Sequence, residues 1–332
     1  MSQSNPRIVF LGTPDFASGC LEALLEAHMD VVAVVTMPDK PAGRGHKLQP
    51  SSVKQCALEH GLDVLQPERL KDEAFLEELR SYEADLFIVV AFRMLPEVVW
   101  GMPRMGTFNL HASLLPQYRG AAPINWAVMN GETQTGVTTF FLDREIDTGK
   151  VIFQESCPIY PDDDAGTLHD RLLEMGSQLV VRTVSAIAQG TAPSLSQSSF
   201  VDPSEPLKPA PKIFKETCMV SFQRSARDIV NQIRGLSPYP AAMMDLETED
   251  KEVIRIKVFK ASALDENPTG MLPGEILTDG RTYLKVKALD GMVSLESLQL
   301  PGKKRLALED LLRGFTISNS FRFINPSIEI NS

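Results

Sequence analysis

Cysteine is scarce: the 332 residues include four, Cys20, Cys56, Cys157 and Cys218, and no two lie closer than 36 positions. That spacing fits neither a disulfide framework nor a zinc knuckle, so a reducing compartment is expected, with each cysteine a small buried apolar residue. Long apolar runs are also missing. The longest, residues 86–92, is far short of the roughly 18 residues a spanning helix needs, which excludes a membrane-spanning reading. Residues 1–7 are polar and lead at once into Ile8-Val9-Phe10-Leu11, resembling neither a secretory signal nor a transit peptide, so a cytoplasmic protein with no membrane partner is expected. The glycines of a dinucleotide fingerprint are lacking too. Gly12-Thr13-Pro14-Asp15-Phe16 follows the first strand in place of GxGxxG, which argues against a nicotinamide or flavin cofactor. The five histidines are dispersed, and no metal site is expected.

A basic excess is absent as well. The net charge is −10, all of it carried by residues 1–200, where 25 acidic face 15 basic residues, while residues 201–332 balance at zero. Such a chain should not cling nonspecifically to polyanions, although a locally basic surface can still bind one. The length suggests two domains, and 43% hydrophobic with 23% charged residues is ordinary globular composition.

Short apolar runs at 7–11, 30–36, 63–65, 86–91 and 107–111 alternate with helical patterns at 16–27, 52–60, 73–82 and 96–100. That alternation predicts a doubly wound, parallel, Rossmann-like α/β sheet. Strands at 138–142 and 151–154 precede a long helix over 168–188, capped by Thr167 and stopped by Gly190. Residues 191–212 hold five prolines and five serines and read as a linker. Beyond it, Ser225 and Asp228 open a helix. Strand patterns at 241–246, 253–261, 274–277, 283–288 and 293–300 suggest an OB-like β-barrel. The expected organisation is therefore a catalytic domain over 1–190, a linker over 191–212, a barrel domain over 213–320 and a tail over 321–332.

Chemistry concentrates in Asn109-Leu110-His111-Ala112-Ser113-Leu114-Leu115-Pro116-Gln117-Tyr118-Arg119-Gly120. Strand alternation puts Asn109 and His111 on one face near the carboxyl end of their strand, where open α/β sheets bind ligands. Asp147, in Ile146-Asp147-Thr148-Gly149, supplies a carboxylate able to orient an imidazole and hold a proton. An amide donor, an imidazole and a carboxylate suit acyl transfer to an amine. A strand-end histidine also serves as a bonded core residue, and an aspartate before Thr-Gly as a turn former, so spacing alone leaves both readings open.

Five stretches carry a resemblance: residues 10–16; Pro38-Asp39-Lys40-Pro41-Ala42-Gly43-Arg44-Gly45 with Lys47-Leu48-Gln49-Pro50; Asn109 to His111 with Ser113 to Pro116; Arg119-Gly120-Ala121-Ala122-Pro123-Ile124; and Asp147-Thr148-Gly149. Over residues 6–315 the chain resembles the folate-dependent formyltransferases. The basic segment and the C-terminal barrel narrow the resemblance to the branch acting on methionyl-tRNA. It implies transfer of the formyl group of 10-formyltetrahydrofolate to the α-amino group of methionyl initiator tRNA. It also implies Asn109, His111 and Asp147 as catalytic residues, Ser113, Leu114, Leu115 and Pro116 as folate-site residues, and Arg44, with Lys40 and Lys47, as contacts to the acceptor end of the tRNA. No metal is required, and a monomer in a bacterial cytoplasm is expected. Relatives carry a Tyr-Gly pair after the fourth buried strand, where this chain has Phe92-Arg93-Met94-Leu95, one residue shorter. A formyltransferase for a small amine would share the trio without needing the basic segment or the barrel. A nonenzymatic RNA-binding protein would have no use for the Ser113 to Pro116 loop.

Overall fold

Strand β1 (Ile8–Gly12) is buried over its whole length because its five consecutive apolar residues are covered on both faces. The computed structural model describes residues 5–42, 47–202 and 204–326. These form two compact units: Met1–Pro123, Gln134–Cys157 and His169–Pro209 in the first; Ile124–Thr133, Pro158–Leu168 and Ala210–Ser332 in the second.

In the first unit, β1 is joined by β2 (Val31–Val35), the short antiparallel pair β3 (Lys40–Ala42) and β4 (Lys47–Gln49), β5 (Asp63–Leu65), β6 (Leu86–Val90), β7 (Thr107–His111), β8 (Gln134–Phe141) and β9 (Val151–Pro158). The main sheet has the order β5-β2-β1-β6-β7-β8-β9. Its first five strands are parallel, and β8 returns antiparallel to β7. The order reverses between β1 and β6, the topological switch point whose carboxyl edge holds ligands in open α/β sheets. Helices α1 (Asp15–Glu26), α2 (Ser52–Glu59), α3 (Glu73–Ser81) and α4 (Glu97–Trp100) supply the crossovers. Asp72 caps α3 by accepting from the Ala74 and Phe75 amides, and Ser51 caps α2 by accepting from Lys54. Val9, Leu11, Ala33, Val35, Phe87 and Val89 project alternate side chains into one core layer with Phe75, Leu76 and Leu79 of α3.

Two helices differ from expectation. Helix α5 (Pro123–Met129) carries no capping or periodic signal long enough to read. Helix α6 (Ala165–Ala188) starts three residues earlier than its pattern indicated. Asp164 accepts from the Thr167 amide at 2.8 Å while Thr167 Oγ1 accepts from the Asp164 amide at 3.0 Å, so the reciprocal cap begins at Asp164.

The second unit contains α7 (Ala226–Gly235), with Ser225 accepting from the Asp228 amide, and then β10 (Ala242–Glu247), β11 (Val253–Leu264), β12 (Ile276–Thr278), β13 (Leu284–Lys287), β14 (Met292–Gln299), β15 (Leu306–Ala307), α8 (Leu308–Leu312) and β16 (Arg322–Ile324). The sheet order is β12-β13-β14-β11-β10-β16, with β15 beside β14. A bridge from Glu275 to Arg322 and a hydrogen bond from the Phe323 amide to Gly274 O bring the two ends together into a nearly closed antiparallel barrel. The segment expected as a tail therefore begins with a barrel strand. The Arg322-Phe323-Ile324 run is too short to show alternation, yet Phe323 is 2% exposed.

The segment expected as a bare linker differs likewise. Leu195 bridges Val151 of β9, and a 3-10 turn at Gln197–Phe200 follows, so residues to Pro209 belong to the first unit.

Asp85, just before β6, ties the amino end of that strand to the segments leading into its neighbours β1 and β7: its carboxylate accepts from the Arg7 amide at 2.9 Å and from Arg104 Nε at 2.6 Å. These bonds, the backbone one first, hold its carboxyl below the usual carboxylate range. A depressed carboxyl stabilises the fold fully above its unfolded value near 4, and that contribution is lost as pH falls through the folded value. Because Arg104 is largely exposed, Asp85→Asn is expected to remove about 1 kcal/mol at neutral pH. Acid unfolding followed by circular dichroism should start from this lower stability and show a shallower acid limb.

Candidate active site

β7 ends at His111, at the carboxyl edge of the parallel strands, with Asn109 two residues earlier on the same face. His111 is 6% exposed. Its Nε2 lies 2.8 Å from Tyr118 O. A carbonyl can only accept, so Nε2 carries the hydrogen in that bond and Nδ1 is left toward Asp147. Nδ1 and Asp147 Oδ2 are 3.9 Å apart, beyond hydrogen-bond reach but close enough for attraction between opposite charges. The backbone of Tyr118 thus fixes the ring, where the sequence pointed to Asp147 for that task. Asp147 Oδ2 itself accepts from the Gly120 amide at 3.0 Å.

The loops that bring these groups together are held in unusual backbone. Tyr118 has φ +60° and Asp147 has φ +54°, left-handed values that cost free energy in non-glycine residues and persist only where neighbours hold them. Gly149 is required by close approach: a Cβ there would lie 1.6 Å from Phe141 O. That contact is a physical reason for glycine in Asp147-Thr148-Gly149. Asn109 Oδ1 is buried and has no partner. An unpaired buried polar atom costs about 1–3 kcal/mol, a cost relieved when a bound molecule supplies the partner.

Beside Asp147 opens a cavity of about 330 Å³, in the size range of small-molecule sites, walled by Phe92, Arg93, Leu95, Trp100, Leu142 and Ile146 together with Gly120. The departure at residues 92–95 therefore forms one wall of the cavity. Arg93 donates through Nη1 to Glu68 O at 2.8 Å and through Nη2 to Pro67 O, while its Nε is buried without a partner. Burial lowers the guanidinium's proton affinity. Ser113, Leu114, Leu115 and Pro116 do not line this cavity. Ser113 Oγ donates to Gln117 O, and Thr138 Oγ1 donates to Ser113 O while accepting from the Leu115 amide, so the four residues form a bonded turn of which Ser113 and Leu115 are fully packed.

Of the basic segment, Arg44 lies outside the described residues. Lys40 is exposed on β3, and Lys47 begins β4, in register with Ala42. Lys54 is engaged elsewhere: its Nζ lies 2.7 Å from Asp39 Oδ2 and 2.7 Å from Gln66 Oε1, and this network holds the Asp39 carboxyl below the usual range. In the second unit, several barrel cations are also paired, Lys260 with Glu296, Lys285 with Glu266 and Lys251 with Glu247.

Sequence spacing concealed two further features. Gln197, from the expected linker, donates to Asp147 O at 2.7 Å and to Gly149 O at 2.9 Å. Glu22, Cys56 and His60 come within 4.8 Å of one another, although the histidines looked too dispersed to join such a cluster. There the Cys56 thiol, expected to be merely apolar, donates to Glu22, and burial with that bond pushes it up to about 12. Among the described residues, no helix is long and apolar enough to cross a membrane.

Residues 6–184 match the family described as formyl transferase, and residues 212–316 match the formyl transferase C-terminal domain. The chain is 56% identical over 322 residues to the methionyl-tRNA formyltransferase of Bacteroides fragilis, covering 97% of this chain and 99% of that protein. It is 50% identical over 313 residues to the methionyl-tRNA formyltransferase of Flavobacterium johnsoniae, covering 94% and 97%. Among solved structures, a sugar 3N-formyl transferase bound to dTDP and 5-N-formyl-THF shares the fold, with a TM-score of 0.61 at 19% identity over 91% of this chain and all of that one.

Proposed function

The chain belongs to the formyl transferase family, among the methionyl-tRNA formyltransferases, and from that premise we propose that it transfers the formyl group of 10-formyltetrahydrofolate to the α-amino group of methionyl initiator tRNA. The observation that carries the reading is the meeting of Asn109, His111 and Asp147 at the carboxyl edge of the sheet, with Asp147 in the wall of a cavity. The neutral amine attacks the formyl carbon, a carbon–nitrogen bond forms, and the carbonyl electron pair moves to oxygen. Asn109 and the protonated His111 donate hydrogen bonds to that oxyanion, and Asp147 accepts the proton lost by the amine. The oxyanion's electron pair then re-forms the carbonyl, the carbon–nitrogen bond to the folate breaks, and the folate nitrogen takes the proton from Asp147. The 92–95 and 142–147 walls receive the folate. Arg44, Lys40 and Lys47 meet the acceptor end, the C-terminal barrel (213–320) adds tRNA contact, and the protein acts as a cytoplasmic monomer without a metal.

The test is formyl transfer from 10-formyltetrahydrofolate to charged initiator tRNA, beside charged elongator tRNA, free methionine and an amino sugar. Transfer to initiator tRNA alone is expected, and Arg44→Ala should reduce its efficiency about tenfold or more. Transfer to the small amines instead, or indifference to Arg44→Ala, would return the reading to a small-amine formyltransferase.

A further inference from the structure

Asp147 sits in a loop whose residues Asp143, Arg144, Glu145 and Ile146 are exposed, and it holds a left-handed backbone. Something must fix its backbone if its carboxylate is to stay 3.9 Å from His111 Nδ1. Gln197 does this with every polar atom it has. Its Nε2 donates one hydrogen to Asp147 O at 2.7 Å and the other to Gly149 O at 2.9 Å. Its Oε1 accepts from Arg119 Nη2 at 2.6 Å and from Arg119 Nε at 3.2 Å. The orientation of the amide is determined by its partners, since two carbonyls can only accept and a guanidinium can only donate. Gln197 is 5% exposed and held beside β9 by the two backbone bonds between Leu195 and Val151.

One amide thereby ties the two loops that carry the ends of a further bond: Arg119 precedes Gly120, whose amide donates to Asp147 Oδ2. Gln197 lies between the two stretches that match the family, in a segment matched by neither. We propose that Gln197 is a positioning residue for the transfer reaction, setting the Asp147 carboxylate against His111 through the Asp147 and Gly149 carbonyls. This rests on the function proposed above for the Asp147 site. Removing the clamp frees the loop to shift by an ångström or so, a displacement that can cost about a hundredfold in rate without touching substrate binding.

Two variants separate the halves of the amide. Gln197→Met removes all four bonds with little change in length. Gln197→Glu keeps an acceptor for Arg119 but turns an oxygen toward two carbonyl oxygens. Both are expected to lower kcat about 10- to 100-fold while KM for the tRNA and for the folate changes by less than about threefold. In an Asp147→Asn background, adding Gln197→Met is expected to lower kcat no further, because the two residues act as one unit. The Gly120 amide signal in nitrogen-15 NMR should move in both Gln197 variants, since its acceptor is displaced. Wild-type kcat in Gln197→Glu, a full additional loss in the Asp147→Asn background, or an unmoved Gly120 signal would each overturn the proposal. If the wild-type protein leaves methionyl-tRNA unformylated while the Gly120 signal still moves, the acceptor reading has failed and the positioning of Asp147 by Gln197 stands.

Discussion

Replacing His111 by Ala is expected to slow formyl transfer to methionyl-tRNA by about two to four orders of magnitude, with the protein still folded. The reason lies in what the imidazole alone can do at that place. Its Nε2 hydrogen is committed to Tyr118 O, so the nitrogen facing Asp147 is the one able to carry and release a proton during the reaction. Alanine removes that proton and leaves the Asp147 carboxylate without its imidazole neighbour, while Asn109 and substrate binding remain. The structural cost is smaller, about 0.5–1.5 kcal/mol for the lost hydrogen bond to the Tyr118 carbonyl. Single-turnover transfer with saturating folate, alongside thermal unfolding of the same sample, separates the two effects. A variant within about fivefold of wild type would remove His111 from the chemistry and leave it as a bonded core residue.

Replacing Phe323 by Ala is expected to cost about 3–5 kcal/mol in the second unit. Phe323 is paired with Leu246 of β10, packs 5.6 Å from the ring of Phe222, and its amide donates to Gly274 O. Nearby, Asn325 Oδ1 accepts from the Phe222 amide at 2.7 Å. Removing the ring leaves a cavity in a core whose neighbours are largely fixed by the barrel, so little collapse can offset the loss. Urea unfolding monitored for the barrel should show an earlier midpoint with an unchanged slope. A protein ending at Ser320 should be destabilised at least as much. If such a protein unfolds like the full chain, the last strand contributes nothing and the segment is a tail after all.

Much of this architecture was legible in the residues. Five consecutive buried apolar residues at Ile8–Gly12 and again at Leu86–Val90 announce strands covered on both faces, since no half-exposed strand or amphipathic helix has that pattern. Alternation placed Asn109 and His111 on one face, because the two-residue period of a strand is set by the backbone. The caps at Ser225 and Gly190 are likewise local, made of bonds spanning a few residues. Asp147 stood out as a candidate carboxylate, but composition could not say what holds it.

The tertiary structure decided what joins distant positions. Gln197 meets Asp147 across 50 residues, Arg93 meets Pro67 across 26, and Asn325 meets Phe222 across 103, and no window of periodicity reaches so far. A proline- and serine-rich stretch has linker composition whether or not its one glutamine is buried, because a single fully bonded amide leaves no trace in the pattern around it. The same limit hid the barrel strand at Phe323. The sequence by itself determined the elements and their local chemistry, through short-range sterics and burial period. The geometry of the site, and the groups that hold it, came from packing between segments far apart in the chain.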